Sequence, residues 1–265
     1  MVEIAICLAI IGFALIAIIG VLPIGMNTQR DNREETIINQ DATMFIEAIR
    51  NGARGLDDLT NYVYAITNIY TEYADGGSLV GTNVNSYTYA TAEEPIGYPI
   101  PSARLTNGSN IIGLMSTPEY MLAGAPVLNL LHGGYSNHVV AYVRSISGPA
   151  VEKPPQNNDI VVGDSFGYRI LCVNAPLAVD TNIFNLPPGQ QRYTQQLGAN
   201  LHELRLTFLW PQLPNGNLGP GRQTWRTMVA GRTTQDWNPT MTPHVISWWI
   251  SHYQPQSFVN VTIAP

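Results

Sequence analysis

Met1-Val-Glu-Ile-Ala-Ile-Cys-Leu-Ala-Ile-Ile-Gly-Phe-Ala-Leu-Ile-Ala-Ile-Ile-Gly-Val-Leu-Pro-Ile-Gly-Met26 opens the chain, and its reading decides the architecture of the rest. No charged residue falls between Ile4 and Met26. As a helix rising ~1.5 Å per residue this run is ~35 Å long, enough to cross the hydrocarbon core of a bilayer. A secretory signal would carry a basic leading region, a shorter apolar core and a small-residue cleavage site. Here a carboxylate directly precedes the run and charged helical sequence follows it. The stretch reads as a transmembrane helix kept on the mature protein. Glu3 stands at its lip. One reading leaves this carboxylate solvated among lipid headgroups. A second pairs it with the α-amino group of Met1 in a neighbouring copy, cancelling two charges as helices pack.

Beyond Met26 the composition changes. Asn27 to Arg50 carries Arg30, Asp31, Arg33, Glu34, Glu35, Asp41 and Glu47, while Ile38, Ala42, Phe45 and Ile49 recur at helical spacing as one apolar stripe. The membrane helix is expected to continue outward into this amphipathic half, which lays its stripe on a head, and Asn51-Gly52 supplies the stop. Gly20, Pro23 and Gly25 interrupt the junction. Proline lacks a backbone donor and clashes one turn back, and glycine weakens helix propensity, so a kink or an unwound turn is expected there.

Val2-Glu3-Ile4 followed by Ala9-Ile10-Ile11-Gly12-Phe13-Ala14-Leu15 resembles the mature N-terminus of type IV pilins and type II secretion pseudopilins. Ile19-Gly20-Val21-Leu22-Pro23-Ile24-Gly25-Met26-Asn27 resembles a large bacterial pseudopilin-like group, as does the run from Phe208 through Gly231. The resemblance implies a leader removed by a prepilin peptidase and an N-methylated terminus. It also implies storage in the inner membrane, then extraction by the pilus assembly machinery into an extracellular helical homopolymer with the apolar helices at its core. In that family the region around Gly20, Pro23 and Gly25 unwinds on assembly, and the glutamate lies fifth from the cleavage point. Here it is third, so either the numbering begins inside the mature chain or processing differs. Two other roles stay open: a minor pilin or pseudopilin of a secretion or assembly system, and a membrane-anchored protein whose head binds a surface or carbohydrate through Trp and Tyr.

The 265 residues are 45% hydrophobic, enough for a sizeable core. The net charge of −6 is uneven: ten acidic residues and four arginines precede Gly76, and nine of each sign follow. The head is therefore neutral, and no basic patch argues for a nucleic-acid partner. Lys153 is the single lysine, so Asn, Gln, Ser and Thr supply much of the polar surface, which suits close packing against copies of the same chain. Cys7 lies in the membrane run and Cys172 far from it, so no disulfide framework is expected.

Leu59, Val63, Ile66, Ile69 and Tyr73 share a helical face, and Asp57 and Asp58 suit an N-terminal turn, which predicts a second helix from Leu56 to Tyr73 ended by Gly76-Gly77. Ser78 to Ala90 reads as a strand, Pro95 to Pro101 as a loop, and Thr117-Pro118 as the opening of a short helix. Further strands are expected over His138 to Ile146, over Phe166, Tyr168, Ile170 and Cys172, and over Leu201 to Trp210, where Leu204, Leu206, Phe208 and Trp210 face one way. Pro214 to Gly221 turns into a hairpin partner over Gln223 to Val229. The last stretch holds one or two strands, in which Trp248 and Trp249 point to opposite faces and are candidate head contacts with a neighbour. The expected fold is α+β: an N-terminal helix, 1–51, on a globular β-rich head, 52–265, with an antiparallel sheet.

No catalytic pattern stands out. The five histidines are scattered, with no HExxH or CxxC, and no serine sits in a GxSxG elbow. The sequence points to a structural protein without cofactor or metal.

Overall fold

The computed structural model describes residues 2–52, 56–88, 103–104, 108–121, 132–147, 166–176, 185–213, 215–237 and 246–252. The expected Pro95 to Pro101 loop and Met1 lie outside the described residues. The fold is α+β, a long N-terminal helix on a largely antiparallel sheet.

Helix α1 (Val2–Arg50) is continuous. Its outer half obeys the stripe: Ile38, Ala42, Phe45 and Ile49 are fully buried, and Ile37, Asp41 and Ala48 join them at the intervening positions. Complete burial contributes roughly 1.5–3 kcal/mol for each large apolar side chain, so this half is held by packing rather than helix propensity. The helix ends where Asn51 N–H bonds to Glu47 O and Gly52 N–H to Ile49 O, with Gly52 at φ 56°. That left-handed turn favours glycine, as the expected stop requires.

The region expected as a second helix is a strand instead. A short 3-10 helix (Asp57–Asn61) leads directly into β1 (Val63–Asp75). The residues from Val63 to Thr67 are all buried, so β1 has no apolar–polar alternation to announce a strand, and its spacing mimics a helical face. The decisive factors are its β-branched and aromatic content and the two strands that flank it. Gly76 and Gly77, both at positive φ, close a hairpin to β2 (Leu79–Thr88) rather than ending a helix.

After β3 (Ala103–Arg104), which pairs parallel to β2, helix α2 (Gly108–Met115) buries Ile111, Ile112, Leu114 and Met115. Thr117-Pro118 therefore follows a short helix rather than opening one. Thr117 Oγ1 donates to Leu114 O, which ends the helix locally. Gly108 starts α2 hard against the 3-10 helix: a Cβ there would lie 1.7 Å from Leu56 O, so only glycine fits. The segment then forms β4 (Tyr120–Met121) along β5 (His132–Arg144). Asparagines fix it there: Asn137 Nδ2 donates to Pro118 O, Asn174 Nδ2 to Ser116 O and Asn68 Nδ2 to Asn137 Oδ1.

Strand β6 (Gly167–Pro176) alternates strictly, burying Tyr168, Ile170, Cys172 and Asn174. Helix α3 (Pro188–Asn200) passes into β7 (Leu201–Gln212), where Leu204, Leu206, Phe208 and Trp210 are buried as the alternation requires. Strand β8 (Leu218–Trp237) pairs its first part with β7 and its last part with β9 (Ile246–His252). The order is β3-β2-β1-β5-β6-β7-β8-β9, with β4 beside β5. One core lies between this sheet and α1, the 3-10 helix and α2, crossed by ring contacts Tyr168–Phe208 at 5.5 Å and Phe208–Trp225 at 4.9 Å.

Candidate functional site

The sheet and the stripe of α1 leave the helix's first half outside the head. From Val2 to Arg33 every described side chain is exposed, apart from half-exposed Gly12, and by helix rise this portion is ~48 Å long. Among the described residues α1 is the one helix long and apolar enough to cross a membrane, and none of its apolar window is buried against the head. Val2, Ile4, Ile10, Phe13, Ile16 and Ile19 are each more than three-fifths exposed. A surface this apolar and this extended needs lipid or another protein around it.

Glu3 lies in the first turn of α1 and is exposed; Met1 is outside the described residues, so their pairing is not visible in one copy. Gly20, Pro23 and Gly25 lie within unbroken helix, so of the expected kink or unwound turn the unwound turn is absent here. A Cβ at Gly12, Gly20 or Gly25 would meet nothing, so these glycines are not required by any contact within the chain. The backbone of Trp248 and Trp249 is placed in β9, opposite Gln235 and Thr234, while their side chains lie outside the described residues.

The joint between helix and head centres on Asp41, which sequence reading left among the charged residues. Its carboxylate is 1% exposed and accepts four hydrogen bonds: from Ile146 N–H at 3.0 Å, Ser147 N–H at 3.0 Å, Ser147 Oγ at 2.5 Å and Tyr168 Oη at 2.7 Å. Burial raises its pKa above the ordinary carboxylate value, against the opposing pull of these donors. The buried Tyr168 hydroxyl is pushed well up by desolvation and by the neighbouring carboxylate. This is a clamp between α1 and the ends of β5 and β6. The available signal was an acid standing on an otherwise apolar helix face.

The opposite face of the sheet gathers several of the head's arginines. Cross-strand register sets Tyr142, Arg169, Leu209 and Arg222 in one row and Val173, Arg205 and Arg226 in another, with the row of Leu171, Thr207 and Thr224 between them. Arg144 lies on the same face at the end of β5. The arginines are scattered along the chain and meet only through strand pairing.

No group of three or more His, Cys, Asp or Glu converges among the described residues. His138 is exposed on β5, and buried His202 has Nε2 3.3 Å from Thr233 Oγ1. Of the other histidines, His244 and the side chains of His132 and His252 lie outside the described residues. Cys7 and Cys172 are both free thiols, one exposed on the apolar helix and one buried in β6. Comparison with protein-family models, curated proteins and solved structures found no match to this chain.

Proposed function

We propose that this chain is a structural subunit of a type IV pilus-like extracellular filament, held in the inner membrane by the apolar half of α1 and then polymerised by bundling those halves. The observation that carries this reading is the division of one 49-residue helix into a half locked in the head's core and an apolar half that is not buried by any described residue. A clamped, continuous helix connects head and filament core directly. In the bilayer the apolar half contacts lipid; in a bundle it contacts its counterparts. The exchange is driven by close helix packing rather than by escape from water. Glu3 would set the register by meeting a neighbour's terminal amine, because an unpaired carboxylate inside the bundle is costly.

The deciding experiment is electron microscopy of material sheared from the producing cells, with mass spectrometry of its main protein. Thin filaments composed of this chain are expected, and Glu3→Gln should deplete them. A chain that stays in the membrane fraction, with no filament containing it, would overturn the reading in favour of an anchored binding protein. Incorporation of only a few copies per filament would identify a minor subunit.

A further inference from the structure

The sheet face turned away from α1 is built unlike a surface selected for stability alone. Among the described side chains of β5 to β8 it carries Arg144, Arg169, Arg205, Arg222 and Arg226 against one strand carboxylate, Glu203. Arg205 and Arg226 are direct cross-strand partners, a placement that costs stability when the charges are alike. Glu203 relieves this only weakly, lying 3.8 Å from Arg226 Nε. Among the described residues no ion pair reaches Arg205 or Arg222, and Arg222 is exposed. Two more guanidinium groups are held in place by stacking: Arg169 lies 4.8 Å over Tyr142 and Arg144 4.9 Å over Tyr64. Arg169 also donates to Gly216 O, which orients it further.

The described arginines and Glu203 of this strand face sum to +4 in a chain whose formal charge is −6, so the rest of the chain sums to −10. The complementary carboxylates lie on the helix side of the same sheet. Asp31 and Glu35 are exposed on α1 and Asp58 on the 3-10 helix, with no ion pair to any of them among the described residues, while neighbouring Asp57 accepts the Gly108 N–H at 3.1 Å.

We propose that the arginine face of one copy docks on the carboxylate-bearing helix side of a second copy. The two surfaces lie on opposite sides of one sheet, so the contact is heterologous and propagates from copy to copy instead of closing a dimer. Arginine suits the role, since its planar donors match carboxylates in pairs and it surrenders its hydration more readily than lysine. The inference deepens the filament reading and rests on it: the helices supply the bundle, and the charges choose which face of each head meets the next.

The test is R222E/R226E in the full chain, scored by filament yield in the sheared fraction and by self-association of the detergent-solubilised protein across a salt series. A loss of roughly tenfold in both is expected, restored at least in part when E35R/D58R is added. Both arginines are outside the core, and R222Q/R226Q offers a milder second variant should the reversal impair folding, which thermal melting detects. If wild-type chains form filaments and both variants assemble equally at every salt concentration, the docking is overturned while the filament stands. If no wild-type filament exists but solubilised chains associate in a salt-sensitive, R222E/R226E-sensitive way, the docking is supported and the filament reading falls. If the reversal abolishes retention on a sulfated-polysaccharide column but leaves self-association unchanged, the face serves a polyanion and the proposal is overturned.

Discussion

The phenol of Tyr168 on β6 donates a 2.7 Å hydrogen bond to the carboxylate of Asp41 on α1, with both residues sealed in the core. The same carboxylate also takes up the N–H groups of Ile146 and Ser147. Removing the acceptor strands all of these donors. Asp41→Ala is expected to cost about 3 kcal/mol and Tyr168→Phe about 1–2 kcal/mol, with the pair less than additive. Denaturant melts of the full chain in detergent would measure both; additive losses would show that the two groups do not act together.

Acid should tighten this clamp. Burial holds the folded Asp41 carboxyl above the 3.8 at which it titrates in an unfolded chain. Between those values the folded protein binds more protons than the unfolded one, so this group's contribution falls as pH rises. Its contribution is fully present below 3.8 and is lost as pH climbs through the raised folded value. Asp41→Asn removes the titration. As pH is lowered from 7 toward 4, the melting temperature of the wild type should therefore gain on that of Asp41→Asn. A wild type that loses ground on acidification would show that its carboxylate is favoured in the charged form.

What the sequence made legible was whatever one element decides by itself. The apolar run, the stripe from Ile38 to Ile49 and the alternation from Leu204 to Trp210 each repeat at a single period, and each is present as expected. The strand β1 reads as a helix because its first five residues, Val63 to Thr67, are buried on both faces, which erases there the period that separates strand from helix. Asp41's partners lie more than a hundred residues downstream, and the arginine face exists only through the register of four strands. Neither leaves a local signature. The helix's apolar half was the part of the candidate site that could be read, because exposure there follows from length and composition alone.

The two halves of α1 should respond oppositely to the same substitution. Phe45 is 0% exposed in the core and Phe13 is 77% exposed on the free half. Phe45→Ala should destabilise the head by about 3–5 kcal/mol through lost transfer energy and the cavity left behind. Phe13→Ala should leave the head's melting unchanged while reducing membrane retention or filament yield. Parallel effects of both substitutions on melting would mean that the free half folds back on the head in solution.

Pro23 gives the last prediction, since it sits inside unbroken helix without a backbone donor for the carbonyl of Ile19. Proline costs about 3 kcal/mol relative to alanine in a helix interior, and Gly20 and Gly25 add further weakness on either side. The helix is thus continuous but locally easy to open. Pro23→Ala should slow hydrogen exchange at the amides around residues 19–27 of the detergent-bound chain by one to two orders of magnitude, leaving the core amides of Phe45 and Ile49 unaffected. If filament packing requires this segment to open, the same substitution will lower filament yield although it strengthens the helix. Unchanged yield together with slowed exchange would show that the segment stays helical in the assembled state and that its proline serves only to set the direction of the free half.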